Sequence, residues 1–251
     1  MNSTVVVPTY DERENLAPLV EAILALPGDF RVLVADDASP DGTGAEADRL
    51  AAAHAGRVSV LHRPGKEGLG RAYGAGFARA LADGADLVFQ MDADHSHDPA
   101  VLPLLRAPLE SGEADLVLGS RYVPGGGTAG WGLLRRLLSR WGSFYARTVL
   151  GIPQRDLTGG FKGWRGTLLE RVCLAPTASR GYSFQVEMTL RAVRAGARVR
   201  EVPITFTERR AGRSKMSLAI ALEAAWRVPA LAARASRTGE AIDGAPAEAR
   251  R

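Results

Sequence analysis

Asp92-Ala93-Asp94 ends the apolar run Leu87-Val88-Phe89-Gln90-Met91 and opens the polar turn His95-Ser96-His97-Asp98-Pro99. Two aspartates delivered by the carboxyl end of a strand are hard oxygen ligands, suited to holding Mg²⁺ or Mn²⁺ against a diphosphate. The same tripeptide also serves as an ordinary solvated turn or helix cap, so other segments must decide. Two such segments are Pro8-Thr9-Tyr10-Asp11-Glu12 and Asp36-Asp37-Ala38-Ser39-Pro40-Asp41-Gly42-Thr43. An aromatic ring there can stack on a base or ribose, and the carboxylates can accept from base N–H groups and ribose hydroxyls. Both loops would then line one pocket. Asp41-Gly42-Thr43 reads as the cap of the following helix, which leaves Asp37 for a ligand.

Short β-branched runs at 4–7, 31–35, 58–61, 86–91 and 115–118 alternate with helical spacing at 15–26, 44–54, 69–82 and 99–109. Repeated β-α units of this kind predict an α/β fold with a mostly parallel central sheet flanked by helices, and ligands at the carboxyl ends of the strands. Every polar motif of this half falls at such an end. The run Gly68-Leu69-Gly70-Arg71-Ala72-Tyr73-Gly74 has the wrong spacing for a dinucleotide fingerprint and does not follow the first strand. Its glycines instead suit a helix packed close to the sheet or the nucleotide.

The second half differs. Residues 123–130 are glycine-rich and predict a flexible loop. An arginine-studded helix is expected over 131–150, then a turn at Thr158-Gly159-Gly160-Phe161, a helix near 182–195 and a strand near 199–206. The alanine- and leucine-rich stretch 214–235 reads as a helix kinked at Pro229, either packing on the core or lying on a membrane surface. Residues 236–251 lack periodicity and predict a disordered tail. The expectation is one catalytic domain over 1–235, with a nucleotide half at 1–120 and an acceptor and interface half at 121–235.

With 251 residues and 46% hydrophobic content, the chain can bury one large core. Net charge is +4 and the pI about 9.6, which suits phosphorylated substrates, an anionic membrane surface or nucleic acid. Residues 116–155 contain no Asp or Glu, yet hold Arg121, Arg135, Arg136, Arg140, Arg147 and Arg155. A second cationic run holds Arg209, Arg210, Arg213 and Lys215 around Gly212, as a solvated loop or as cations over a leaving diphosphate. No zinc-finger, helix-turn-helix or RNA-recognition signature is present, so nucleic acid is not expected as partner. The single cysteine, Cys173, excludes an internal disulfide and reads as a core thiol. No apolar run reaches the roughly 18 residues of a membrane span, and residues 1–10 do not read as a signal peptide. These features predict a cytoplasmic protein that meets the membrane only peripherally, on its cytoplasmic face.

The segments VVVPTYDERENL, DDASPDGT, GLGRAYGAG, QMDADHSHDP, GSRYVPGG, WGLLRRLLSRWGSFYAR, RDLTGGFKGWR, GYSFQVEM and EVPITFTERRAGRSKMS occur in that order over residues 4–218. In this order the chain resembles the dolichyl-phosphate or polyprenyl-phosphate mannosyltransferases, inverting family 2 glycosyltransferases with a GT-A (Rossmann-like) fold. The resemblance implies that Pro8, Tyr10, Glu12, Ala35 and Asp37 hold the guanosine of GDP-mannose. It implies that Asp92, Ala93 and Asp94 form the diphosphate and metal segment, with Asp94 the principal ligand of Mg²⁺ or Mn²⁺. Two residues beyond Asp94, where some relatives carry a metal-ligating glutamine, this chain has Ser96; its hydroxyl could ligate weakly or through water, while His95 and His97 suit softer metals.

By the same resemblance Arg121, Arg209 and Lys215 contact donor or acceptor phosphates. Arg135, Arg136 and Arg140 fall in the acceptor loop and interface helix. The acceptor would be a polyprenyl monophosphate, and the family form without attached membrane helices implies a separate membrane-protein partner. The alternatives are transfer of glucose or another sugar to the same lipid phosphate, and a silent nucleotide-sugar-binding subunit. Leu137, Leu138, Trp141, Phe144 and Tyr145, interleaved with the arginines, are expected to divide about equally between core packing and peripheral contact with anionic lipid.

Overall fold

The computed structural model describes residues 1–173, 182–208 and 228–233. Its strands are β1 (Ser3–Thr9), β2 (Phe30–Asp36), β3 (Val58–His62), β4 (Leu87–Gln90), β5 (Leu116–Ser120), β6 (Gly127–Thr128), β7 (Lys162–Arg165), β8 (Val199–Pro203) and β9 (Thr205–Phe206). Seven form one sheet in the order β3-β2-β1-β4-β7-β5-β8, parallel except for β7. The chain leaves β1 toward β2 and β3, then returns to place β4 on the other side of β1. That reversal opens a crevice at the carboxyl ends of β1 and β4, where open α/β sheets bind ligands.

Alternation along the strands builds a core on each face. Val5 and Val7 pack with Leu16, Leu19 and Ile23 of α1 (Arg13–Leu24), Leu50 of α2 (Thr43–Ala53), and Leu105 and Leu109 of α4 (Leu102–Glu110). Val6 and Leu33 point the other way, onto Tyr73 and Phe77 of α3 (Leu69–Ala82), Leu168 of α6 (Gly166–Cys173), and Phe184 and Met188 of α7 (Tyr182–Arg194). Gly76 lets α3 approach the sheet, since a Cβ there would collide with the Val6 side chain. α5 (Leu133–Leu150) contributes Ala146 and Leu150 to a third cluster with Val186, Leu190, Val228 and Leu231.

Several expectations change. The loop expected over 123–130 contains β6, which pairs in parallel with β9 as a separate two-stranded sheet. The strand expected near 199–206 is therefore two, with β9 leaving the main sheet after Ile204. The expected helix over 99–109 opens with a 3-10 turn at Pro99–Val101. Of the expected helix over 214–235, residues 228–233 are described; they are helical, and Val228 and Leu231 are buried. The tail expected over 236–251 lies outside the described residues. Cys173 packs against the second core, and burial pushes its thiol up to about 11, as befits an inert core thiol.

β7 and α6 were not expected, because Lys162-Gly163-Trp164-Arg165 has neither alternation nor β-branching. Lys162 is fully buried, its Nζ donating to the Gln185 carbonyl and to Thr189 Oγ1, both at 2.8 Å. Burial lowers its pKa from 10.5 to about 7, with nearby Asp156 opposing the change. The unfolded chain thus holds this proton more tightly than the folded one. Stability should rise with pH from about 7 toward 10.5, by at most about 1.4 kcal/mol per pH unit from this group. Urea unfolding between pH 7 and 9 is expected to show that slope in the wild type and not in Lys162→Met.

Candidate active site

The loops after β1 and β2 are bonded into one wall. Asp36 accepts from Thr9 Oγ1 at 3.0 Å and Ser39 Oγ at 2.6 Å, while the Asp11 and Glu12 N–H groups donate to Ser39 Oγ and Thr43 Oγ1. Asp41 accepts from the Thr43 N–H at 2.9 Å and the Arg13 N–H at 3.1 Å; it precedes the Gly42 N-cap and ties the start of α2 to the loop after β1. Pro8 and Glu12 are half-buried on this wall, and Ala35 is buried beside them on β2. Tyr10 carries the ammonium of Lys66 over its ring, 3.6 Å from the centroid. Asp37 is not left for a ligand alone: it forms a buried ion pair with Arg63, which also bonds Glu67 at 3.0 Å. Burial raises the Asp37 pKa, and the Arg63 guanidinium only partly opposes this.

Asp92, Ala93 and Asp94 follow β4 at the switch point. Asp92 is half-buried and accepts from the Tyr73 hydroxyl at 3.0 Å, and burial together with Asp92 drives that phenol's pKa well up. Asp94 is buried and accepts from the Ser96 N–H at 3.1 Å. The turn is pinned from outside by Thr207, whose N–H donates to the Ser96 carbonyl at 3.1 Å and whose hydroxyl donates to the His95 carbonyl. His95 adopts a positive φ of 58° and its Nε2 lies 3.1 Å from the Asn15 carbonyl. His97 is buried, stacked on Phe161 and edge-on to Phe206. Burial lowers its pKa more than Asp92 and Asp94 raise it, which favours the neutral ring.

Ser96 Oγ is buried with no hydrogen-bond partner, an oxygen left over for a ligand beside Asp94. Among the described residues no three His, Cys, Asp or Glu side chains gather to hold a metal. Two carboxylates and a hydroxyl make an incomplete cage. That fits Mg²⁺ or Mn²⁺, which commonly takes one or two carboxylates and fills its remaining positions with substrate phosphates and water.

Arg121 follows β5 and differs from the expectation of a phosphate-directed side chain. Its Nε and Nη2 pair bidentately with Asp156, both at 2.7 Å, its N–H donates to the same carboxylate at 2.9 Å, and Nη2 also reaches Thr158 Oγ1 at 2.8 Å. Burial would raise the Asp156 pKa, but Arg121 and its hydrogen bonds outweigh that and hold it below the usual value. The turn that starts at Asp156, paired with Arg121, brings Gly160 against the Asp92 carboxylate. Sequence reasoning missed Asp156 as a site residue; its signal was an acid immediately after a long acid-free basic stretch.

α5 packs on this turn through Ser143, whose hydroxyl lies 3.4 Å from Thr158 Oγ1, and on the segment after β5 through Ser139, which accepts from the Tyr122 hydroxyl at 2.7 Å. Arg135 stacks on Trp131 at 4.0 Å and bonds Glu208 at 3.0 Å, and Arg136 donates to the Trp131 carbonyl. Arg140 is exposed. Arg209 and Lys215 lie outside the described residues. At the opposite, amino-terminal edge of the strands is a hollow of about 430 Å³ lined by Asn2, Arg31, Arg57 and Arg106. Arg57 and Arg106 there donate to the Leu24, Phe30 and Gly28 carbonyls and clamp backbone.

A mostly parallel sheet with paired aspartates at its switch point places them where open α/β sheets bind nucleotide ligands. The model of glycosyl transferase family 2 matches residues 4–173, and the chain belongs to that family. It is 47% identical over 224 residues to polyprenol monophosphomannose synthase of Mycolicibacterium smegmatis, covering 89% of this chain and 84% of the relative. It is 46% identical to undecaprenyl-phosphate mannosyltransferase of Micrococcus luteus, covering 89% and 91%. Among solved structures it superposes on glucosyl-3-phosphoglycerate synthase from Mycobacterium tuberculosis with Mg²⁺ and UDP, at a TM-score of 0.65 and 23% identity, over 95% of this chain and 79% of the other. The same synthase with Mn²⁺, UDP and its product gives a TM-score of 0.64. The fold is GT-A.

Proposed function

We propose that the protein transfers mannose from GDP-mannose to a polyprenyl monophosphate with inversion, the dolichyl-phosphate β-D-mannosyltransferase reaction. The observation that carries the reading is α5, whose large apolar side chains before Tyr145 face outward. Its buried positions include Ser139, Ser143 and Ala146, while Leu134, Trp141 and Phe144 are 71%, 55% and 60% exposed, beside the basic residues of the acceptor side. Large apolar side chains turned outward in one stripe mark a surface that meets lipid or another apolar partner. A lipid carrying a phosphate suits both the stripe and the arginines.

In this reading the wall holding Pro8, Tyr10, Glu12, Ala35 and Asp37 receives guanosine, with the Arg63–Asp37 pair on its edge. Asp94, Ser96 and Asp92 would hold Mg²⁺ or Mn²⁺, which would supply charge neutralisation of the diphosphate. Arg209 and Lys215 cover the leaving group, and Arg135, Arg136 and Arg140 position the lipid phosphate, while Arg121 acts through the Asp156 turn it holds in place. A phosphate monoester already carries an anionic oxygen at pH 7, so no side chain need remove a proton. Its oxygen bonds to the anomeric carbon as the bond to the GDP β-phosphate breaks, and GDP leaves with the electron pair.

Labelled GDP-mannose and UDP-glucose, offered together with a short polyprenyl phosphate in detergent and Mg²⁺, separate the readings. Mannosyl lipid alone is the expected product. Glucosyl lipid would replace the donor and keep the chemistry, and no lipid product with either would favour a silent subunit. We propose also that the protein sits on the cytoplasmic face of the membrane through α5, with a membrane protein as a possible further partner. No helix among the described residues is long and apolar enough to cross a membrane. Flotation with anionic vesicles is expected to carry the wild type and not Leu134→Glu/Trp141→Glu; a wild type that stays behind would leave only the protein partner to cover α5.

A further inference from the structure

Beneath Asp92 the second core contains a relay of amides that the proposed chemistry does not use. Trp164 Nε1 can only donate, and it donates to Gln90 Oε1 at 2.7 Å. Gln90 must therefore present Nε2 on its other side, and that group donates to Gln185 Oε1 at 3.2 Å. The order fixes the amide of Gln185: its oxygen is turned to Gln90 and its nitrogen away. The backbone is fixed as well, because the Gln185 carbonyl accepts from Lys162 Nζ and from Thr189 Oγ1.

Gln185 is 2% exposed, and its Nε2 is buried without a partner. An orphaned buried donor is costly, so such a group in a site is expected to meet a ligand. Gly160 marks where. A Cβ on that residue would lie 3.6 Å from Gln185 Nε2 and 3.5 and 3.7 Å from the two carboxylate oxygens of Asp92. An amide donor and a carboxylate acceptor thus both border Gly160, within ordinary contact of where a side chain would stand. A phosphate oxygen there would suit the amide and be repelled by Asp92, and an ammonium would do the reverse. A hydroxyl satisfies both, donating to Asp92 and accepting from Gln185.

We propose that Gln185 and Asp92 together hold one hydroxyl of the transferred hexose over Gly160, making Gln185 a residue that selects the donor sugar. This rests on the reading of the protein as a hexosyltransferase using a nucleotide donor. It assigns to the GYSFQVEM segment a role that neither the nucleotide wall nor the acceptor arginines fill. Gly160 becomes a specificity position because a side chain there would crowd the hydroxyl away from both partners.

The test is kcat/KM of the wild type, Gln185→Met and Gly160→Ala with GDP-mannose and its 2-, 3-, 4- and 6-deoxy analogues, using a short polyprenyl phosphate. Calorimetric titration with GDP controls for the nucleotide wall. Each variant is expected to lose on the order of 10²-fold on GDP-mannose and to bind GDP as the wild type does. The wild type should lose a similar factor on one deoxy donor, and on that donor the variants should lose almost nothing further. Equal losses on every donor would make both residues structural and overturn the inference. A methyl on Gly160 meets its neighbours at ordinary contact distances, so that variant decides the matter if Gln185→Met does not fold. If the wild type uses UDP-glucose instead, the donor assignment fails while the same cycle on deoxy-UDP-glucoses still decides the role of Gln185. Turnover of neither donor would remove both proposals.

Discussion

Asp94→Ala is expected to lower sugar transfer at least 10³-fold even in excess Mg²⁺. The departing diphosphate gains charge as its bond to the sugar breaks, and removing one preorganised electrostatic partner typically costs about 10²- to 10³-fold. Here the loss should be at the upper end or beyond. Asp94 is the buried member of the pair and adjoins the unpartnered Ser96 hydroxyl, so its removal leaves no complete substitute on that side of the turn. Single-turnover transfer over a range of Mg²⁺ separates lost affinity from lost chemistry. Near-normal turnover at saturating metal would show that Asp94 is not the ligand that matters.

The second large effect is on folding. Asp156→Asn preserves shape but removes the carboxylate charge that the buried Arg121 guanidinium pairs with, and breaking such a pair typically costs about 3–5 kcal/mol. The Asp156 carboxylate also accepts the Arg121 and Gly159 N–H groups, so the turn that brings Gly160 against Asp92 should loosen with it. Urea unfolding at pH 7 measures the loss, and a change below about 1 kcal/mol would contradict a structural role for the pair. Because the folded-state pKa of Asp156 is lowered, its contribution is fully present above its ordinary value of 3.8 and is lost as pH falls through the folded value. The acid limb of stability should therefore be flatter in Asp156→Asn. Arg121→Met/Asp156→Leu should recover part of the loss, since it removes both buried charges together.

Parallel strands buried on both faces are nearly continuous apolar runs, which is why β1 to β5 and the helices between them could be read within a few residues from spacing alone. The Asp92-Ala93-Asp94 turn was legible for the same reason: it is the polar end of such a run. β7 escaped because its place between β4 and β5 is earned by tertiary packing of Trp164 and a buried Lys162, neither of which has a strand signature. The outward apolar stripe of α5 was half legible. Its amphipathic pattern showed in the sequence, but only packing revealed that Ser139 and Ser143 face inward; Leu137, Leu138, Trp141 and Phe144 all lie outside, and of the five only Tyr145 packs on the third core. Arg121 looked like a free cation because Asp156, its partner, is 35 residues away in sequence. Gln185 drew no attention for a similar reason, as its orientation depends on Trp164 and Gln90 across the sheet.

The most direct test of the proposed reaction is to identify its products by NMR. GDP-α-mannose and a short polyprenyl phosphate, incubated with the full chain in detergent and Mg²⁺, are expected to yield GDP and a β-linked mannosyl phosphate in equal amounts. An α-linked product would contradict the single displacement, and release of GDP with free mannose but no mannosyl lipid would contradict a lipid phosphate as the acceptor.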